Sequence, residues 1–239
     1  MLNFIQTEFL KLKNSRLFFL SLMTGLFPPI LICISLSNMK ATFLEMFIST
    51  NLFMTGLFEV FILCIIISYL IGREYTEHTL KLVLTSPISN FKYLLGKYIV
   101  FIIWTALLSI VTFIGTILLG FIANCTGLTL NMALHYLGEL LLGGFLLSLA
   151  MTPFIFLSMI MKNIVPSMIT GAVLVLVSLL SYSCPWGPYI PWMASYIISS
   201  NTMAEYSCGL MLPLSAIGIT FIFGIIISYI YFKVKDVSL

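Results

Sequence analysis

The sequence predicts an all-α polytopic membrane protein with six transmembrane helices, and three observations carry that reading. Hydrophobic residues make up 61% of the chain and charged residues 8%, against about 25% charged in ordinary soluble domains. So apolar a chain cannot keep its surface wet and belongs in lipid. Six stretches reach the roughly 20 apolar residues that a helix needs to cross the hydrocarbon core; they lie near 17–37, 50–71, 98–123, 136–161, 165–183 and 210–232. With the N-terminus placed in the cytoplasm, every Lys and Arg except Lys40 falls on the cytoplasmic side, the bias that orients membrane proteins. Both termini are then cytoplasmic, and 1–239 reads as one membrane domain.

The elements follow in order. In residues 1–16, Leu2, Ile5, Phe9 and Leu12 recur at helical spacing while Gln6, Lys11, Lys13 and Asn14 fall elsewhere on the wheel. This is the pattern of an amphipathic helix at the inner membrane interface. The first apolar run is of full span length and lacks a small-residue cleavage site, so no cleavable signal is expected. Pro28-Pro29 should kink the first span and Pro153 the fourth. In the second span Asn51, Thr55 and Glu59 stand four apart and form one polar stripe. An intramembrane acid costs at least about 2.5–3.5 kcal/mol and is a functional candidate for that reason. The stripe faces a substrate path or a subunit seam, or else Glu59 is a protonated acid hydrogen-bonded inside the bundle. His135 and Glu139 read as a solvated pair at the outer end of the fourth span.

The cytoplasmic segment 72–97, GREYTEHTLKLVLTSPISNFKYLLGK, is the one long polar interruption on the inner side. It has a charged start, an amphipathic run and a stop at Ser86-Pro87. Leu80, Val83, Leu84 and Ile88 form apolar anchors suited to a groove on a soluble partner, with Glu74, Glu77 and Lys81 at the rim. Further on, Thr112, Thr116 and Gly120 in the third span, and Ser167 and Gly171 in the fifth, put small residues four apart. That spacing allows close helix approach in lipid, within the chain or at a dimer seam. The outer loop 184–209 carries Trp186, Tyr189, Trp192 and Tyr196 and reads as a re-entrant or interfacial turn. Cys184 and Cys208 bracket it, and a disulfide between them would staple it.

Other chemistries find no support. The net charge of +3 is too small and too dispersed for nucleic acid, and the two histidines are scattered, so no metal site is expected. Gly96-Lys97 is not a phosphate-binding loop, since Tyr98 follows and Phe91 stands where the first glycine belongs. Glu74 occupies the position where an inverted zinc motif needs His. An ion-coupled secondary carrier would need more intramembrane ionisable groups than Glu59, and the halves of the chain are not clear inverted repeats.

The order of elements, with R-E-Y-x-x-x-T-L-x-x-x-L-x-S-P ending in L-L-G-K, resembles the membrane subunit of a type-2 ABC exporter over nearly the whole chain. Arg73, Glu74, Tyr75, Thr79, Leu80, Leu84, Ser86, Pro87, Gly96 and Lys97 match the family pattern. His78 departs from it, because a glycine is common there. The resemblance implies that these residues, with Glu77, form a coupling helix docking on a separate ATP-binding subunit. It also implies a second permease subunit, identical or homologous, joined through the second and fifth spans. No cofactor is expected on this chain; ATP and Mg belong to the partner. The short outer loops are most similar to permeases of bacterial lantibiotic-immunity and bacitracin-resistance exporters. This implies a bacterial plasma-membrane permease expelling membrane-active peptides, with another lipid-like or small-molecule substrate as the alternative.

Overall fold

The computed structural model describes residues 6–10, 15–37, 41–76, 90–161 and 164–236. Among them, six helices are long and apolar enough to cross a membrane: Arg16–Leu36, Phe43–Glu74, Lys92–Ile122, Leu130–Ala150, Val165–Tyr182 and Met211–Phe232. The chain is a multi-pass membrane protein. Its two ends differ in chemistry. The basic end carries residues 6–10, Arg16, Arg73 and Lys97; the opposite end carries Thr42, Asn124 and the 184–209 loop.

The first span consists of two helices, Arg16–Thr24 and Phe27–Leu36. The break falls at Gly25-Leu26, ahead of the prolines. Pro28 and Pro29 open the second helix, where a missing N–H costs nothing. The Thr112 hydroxyl donates to the Gly25 carbonyl at 3.0 Å and ties this break to the third span.

The second span begins at Phe43, a turn and more before the expected Thr50. Thr42 and Glu45 form a capping box that starts it there. A π turn at Met54–Phe58 interrupts it, and the Glu59 N–H closes that turn on the Met54 carbonyl. The third helix runs unbroken from Asn90 to Ile122 over 33 residues.

The fourth span ends at Ala150 instead of continuing through Pro153. Met151-Thr152 is a turn, and a separate helix, Pro153–Met161, follows. The sixth helix docks on this break. The Thr152 hydroxyl donates to the Phe221 carbonyl at 3.3 Å. A Cβ on Gly224 would lie 2.5 Å from the Pro153 nitrogen and 2.5 Å from Thr152 Oγ1.

The 184–209 loop is a built element. A 3-10 turn at Gly187–Tyr189 leads into the helix Pro191–Ser199, which packs against the fourth and sixth spans. Met193, Tyr196 and Ile197 are buried in a small apolar cluster, whereas Trp186 and Tyr189 are exposed. Only the first two of its tyrosine and tryptophan rings therefore point outward in the manner the sequence suggested.

Candidate functional site

Two polar clusters stand out against the apolar bundle, one at each level of the second span. At the basic end, Arg73, Glu74 and Tyr75 lie in the last turn of the helix Glu59–Thr76. Glu77, Thr79, Leu80, Leu84, Ser86 and Pro87 lie outside the described residues. Glu74 does not sit on a wet rim. It is 4% exposed, with Lys97 and Glu8 at 6% and 3%.

The Lys97 ammonium lies 2.6 Å from Glu74 Oε1 and 2.9 Å from Glu8 Oε2. It also donates to the Leu70 carbonyl at 2.8 Å. The Tyr93 hydroxyl donates to the other Glu74 oxygen, and the Tyr93 ring centroid is 5.5 Å from the ammonium. Buried charges persist only when paired, and removing one partner of such a pair costs about 3–5 kcal/mol because a charge is stranded. Glu8 escaped the sequence reading. Its signal was present: it is the single acid in the N-terminal segment 1–16.

The second cluster is the stripe, and all three members are buried. The Asn51 amide donates to Glu139 Oε2 at 3.2 Å, and the Thr55 hydroxyl donates to Asn51 Oδ1 at 2.9 Å. Glu139 Oε1 in turn lies 3.1 Å from His135 Nδ1, and the His135 side chain is 75% exposed. The pair at the end of the fourth span is thus not simply solvated: Glu139 also holds Asn51 inside the bundle.

Deeper, Glu59 faces the Gly143-Gly144 pair of the fourth span. A Cβ on Gly144 would lie 2.8 Å from Glu59 Oε1 and 2.9 Å from Ser109 Oγ; one on Gly143 would lie 3.2 Å from the Thr55 methyl. Glu59 Oε1 has no hydrogen-bond partner among the described residues. The stripe therefore packs on the fourth span of its own chain, at a level where the second, third and fourth spans and the Pro191–Ser199 helix meet.

Ser167 and Gly171 also face inward. A Cβ on Gly171 would stand 3.1 Å from Cys64 Cβ and 3.3 Å from the Phe61 ring, so the fifth span lies on the second span of the same chain. Cys184 and Cys208 are free thiols, both half-buried; the Tyr206 hydroxyl closes that loop by donating to the Tyr182 carbonyl at 2.6 Å. Among the described residues no group of three or more His, Cys, Asp or Glu side chains is placed to hold a metal.

The described residues thus form a six-span helical bundle with a buried charge cluster at its basic end and a polar stripe deeper in the second span. Residues 4–178 match the family described as ABC-2 family transporter protein. The chain belongs to that family and is the membrane permease subunit of such a transporter, whose family implies an ATP-binding partner subunit. It is similar to the bacitracin transport permease protein of Bacillus licheniformis, 32% identical over 200 residues that cover 82% of this chain and 93% of that protein. No solved structure matches the chain.

Proposed function

We propose that this chain is the permease of an ATP-driven exporter in the bacterial plasma membrane that expels bacitracin or a related membrane-active peptide. The observation that carries the reading is its 32% identity to a bacitracin transport permease across 93% of that protein's length. In this reading segment 72–97 lies in the cytoplasm and docks on the ATPase, which holds ATP and Mg; this chain holds neither. A second permease copy completes the path. The outward-facing Trp186 and Tyr189 suit an amphipathic substrate drawn from the membrane.

Co-expression with the cognate ATPase is expected to raise the bacitracin tolerance of a sensitive host, and the gain should vanish when the ATPase's catalytic glutamate is replaced. Lantibiotics and small-molecule drugs complete the panel. Protection confined to the small molecules removes the peptide reading, and protection without any ATPase favours an ion-coupled carrier. Disrupting the segment from Glu74 to Leu84 should abolish ATPase recruitment while leaving membrane insertion intact.

The topology has its own test. Membrane-impermeant maleimide on intact cells should label Cys184 and Cys208 and spare a cysteine placed at Lys92, which is exposed at the basic end. Cys125 is a poorer reporter. It is buried, and burial, with Cys33 and Glu45 nearby, pushes its thiol above the ordinary value. Little reactive thiolate is then present at neutral pH, and its labelling should rise as the medium is made more alkaline. Labelling at Lys92→Cys with none at Cys184 or Cys208, even after reduction, would invert the orientation.

A further inference from the structure

The geometry points to Lys97 as a positioning residue that clamps the N-terminal helix, through Glu8, to both ends of the docking segment, so that ATP-driven motion enters the bundle along the third span. The inference rests on the reading of segment 72–97 as the docking element.

Three parts of the chain converge on one ammonium. The N-terminal helix contributes Glu8, and the end of the second span contributes Glu74 and the Leu70 carbonyl. The start of the third span contributes Lys97 itself, with Tyr93 on Glu74. The docking segment leaves from Glu74 and returns at Tyr93, so its two ends are tied to each other and to Glu8 in one buried knot. Neither end can be displaced without carrying the other or stranding a charge in an apolar surround.

The N-terminal helix has a second hold on the third span. The Phe9 and Phe18 ring centroids lie 6.2 Å apart, Phe18 lies 5.1 Å from Trp104, and the Trp104 indole donates to Ser21 at 3.0 Å.

From the clamp, one element leads to the stripe. The first, second and fourth spans are all interrupted, but the helix Asn90–Ile122 is continuous. Lys97 and Ser109 stand on that rod about 18 Å apart at 1.5 Å per residue. Ser109 is the hydroxyl that shares the Gly144 surface with Glu59. A tilt or slide of the rod at Lys97 therefore arrives at Ser109 undiminished by any hinge, next to the unpaired Glu59 carboxyl.

The test uses the full permease–ATPase complex in nanodiscs and does not depend on the substrate. Spin labels are placed at the exposed Ile110, beside Ser109 on the rod, and Ile219, on the sixth span, and the distance between them is compared between the nucleotide-free and vanadate-trapped states. The wild type should show a difference. Glu8→Gln and Lys97→Met should lose it while still binding the ATPase; Lys97→Arg should keep it. A merely stabilising ion pair would shift the distance in both states alike and leave the difference intact. Retention of the difference in Glu8→Gln, or its absence in the wild type, overturns the proposal. If the wild-type chain recruits no ATPase, the docking reading falls first, and that failure is seen before any distance is measured.

Discussion

Glu59→Leu is expected to leave the permease at least as stable as the wild type while abolishing transport. The two effects separate because of how the carboxyl is held. Its Oε1 has no partner among the described residues, and a buried polar atom left unsatisfied costs about 1–3 kcal/mol. Leucine fills a similar volume and carries no such cost. Ser109, which shares the Gly144 surface with Glu59, does not need it, because the Ser109 hydroxyl already reaches the Thr105 carbonyl at 3.1 Å and the Leu140 carbonyl at 3.3 Å. Folding is therefore expected to gain from the substitution, and a loss of transport would place the reason for keeping an acid here in the transport cycle. Glu59→Gln, which preserves hydrogen bonding, should retain much of the activity. Thermal melting of the purified complex and bacitracin tolerance of the host, at matched expression, measure the two sides. Full tolerance with leucine would make the acid a passive packing group.

Gly224→Val should have the largest effect on folding. The sixth helix lies so close to the Met151-Thr152 break that an added Cβ would meet the Pro153 nitrogen at 2.5 Å and the Thr152 carbonyl carbon at 2.6 Å. Those are backbone atoms, and no rotamer change moves them away. Overpacking commonly costs about 1–3 kcal/mol when side chains can adjust; here the helix itself must withdraw, which also removes the Thr152 hydrogen bond to Phe221. Gly218, on the same helix, has nothing within 4 Å of an added Cβ. Gly218→Val should therefore melt like the wild type, and Gly224→Val should give little monodisperse protein. Equal melting of the two variants would mean that the sixth span does not dock on this break.

The spans were legible because lipid imposes a length and a composition, and both are written in the chain. Their limits were legible only in part. The Thr42-x-x-Glu45 signature that starts the second span is in the sequence, but the apolar run beginning near Thr50 obscured it. Pro153 announced an interruption, yet nothing local showed that the chain would turn fully at Met151-Thr152, because the turn is stabilised by the sixth helix some seventy residues on. The stripe of Asn51, Thr55 and Glu59 was read from spacing alone. Its facing surface, Gly143-Gly144 with Ser109, is a matter of which helices become neighbours. The same holds for Lys97: the motif marked it, but its partners Glu8 and Glu74 are brought together only by the closed bundle. Position along one helix is local information, and pairing across helices is not.

The π turn at Met54–Phe58 gives the second span slack. A regular helix held at both ends has no spare length, and this one is held by the Phe43 N–H on the Thr126 carbonyl and by Lys97 on Glu74. One surplus residue is worth about 1.5 Å of rise and 100° of rotation. By passing that surplus along the chain, one hydrogen-bond exchange at a time, the middle of the span can swivel Glu59 relative to Asn51 while neither anchored end lets go.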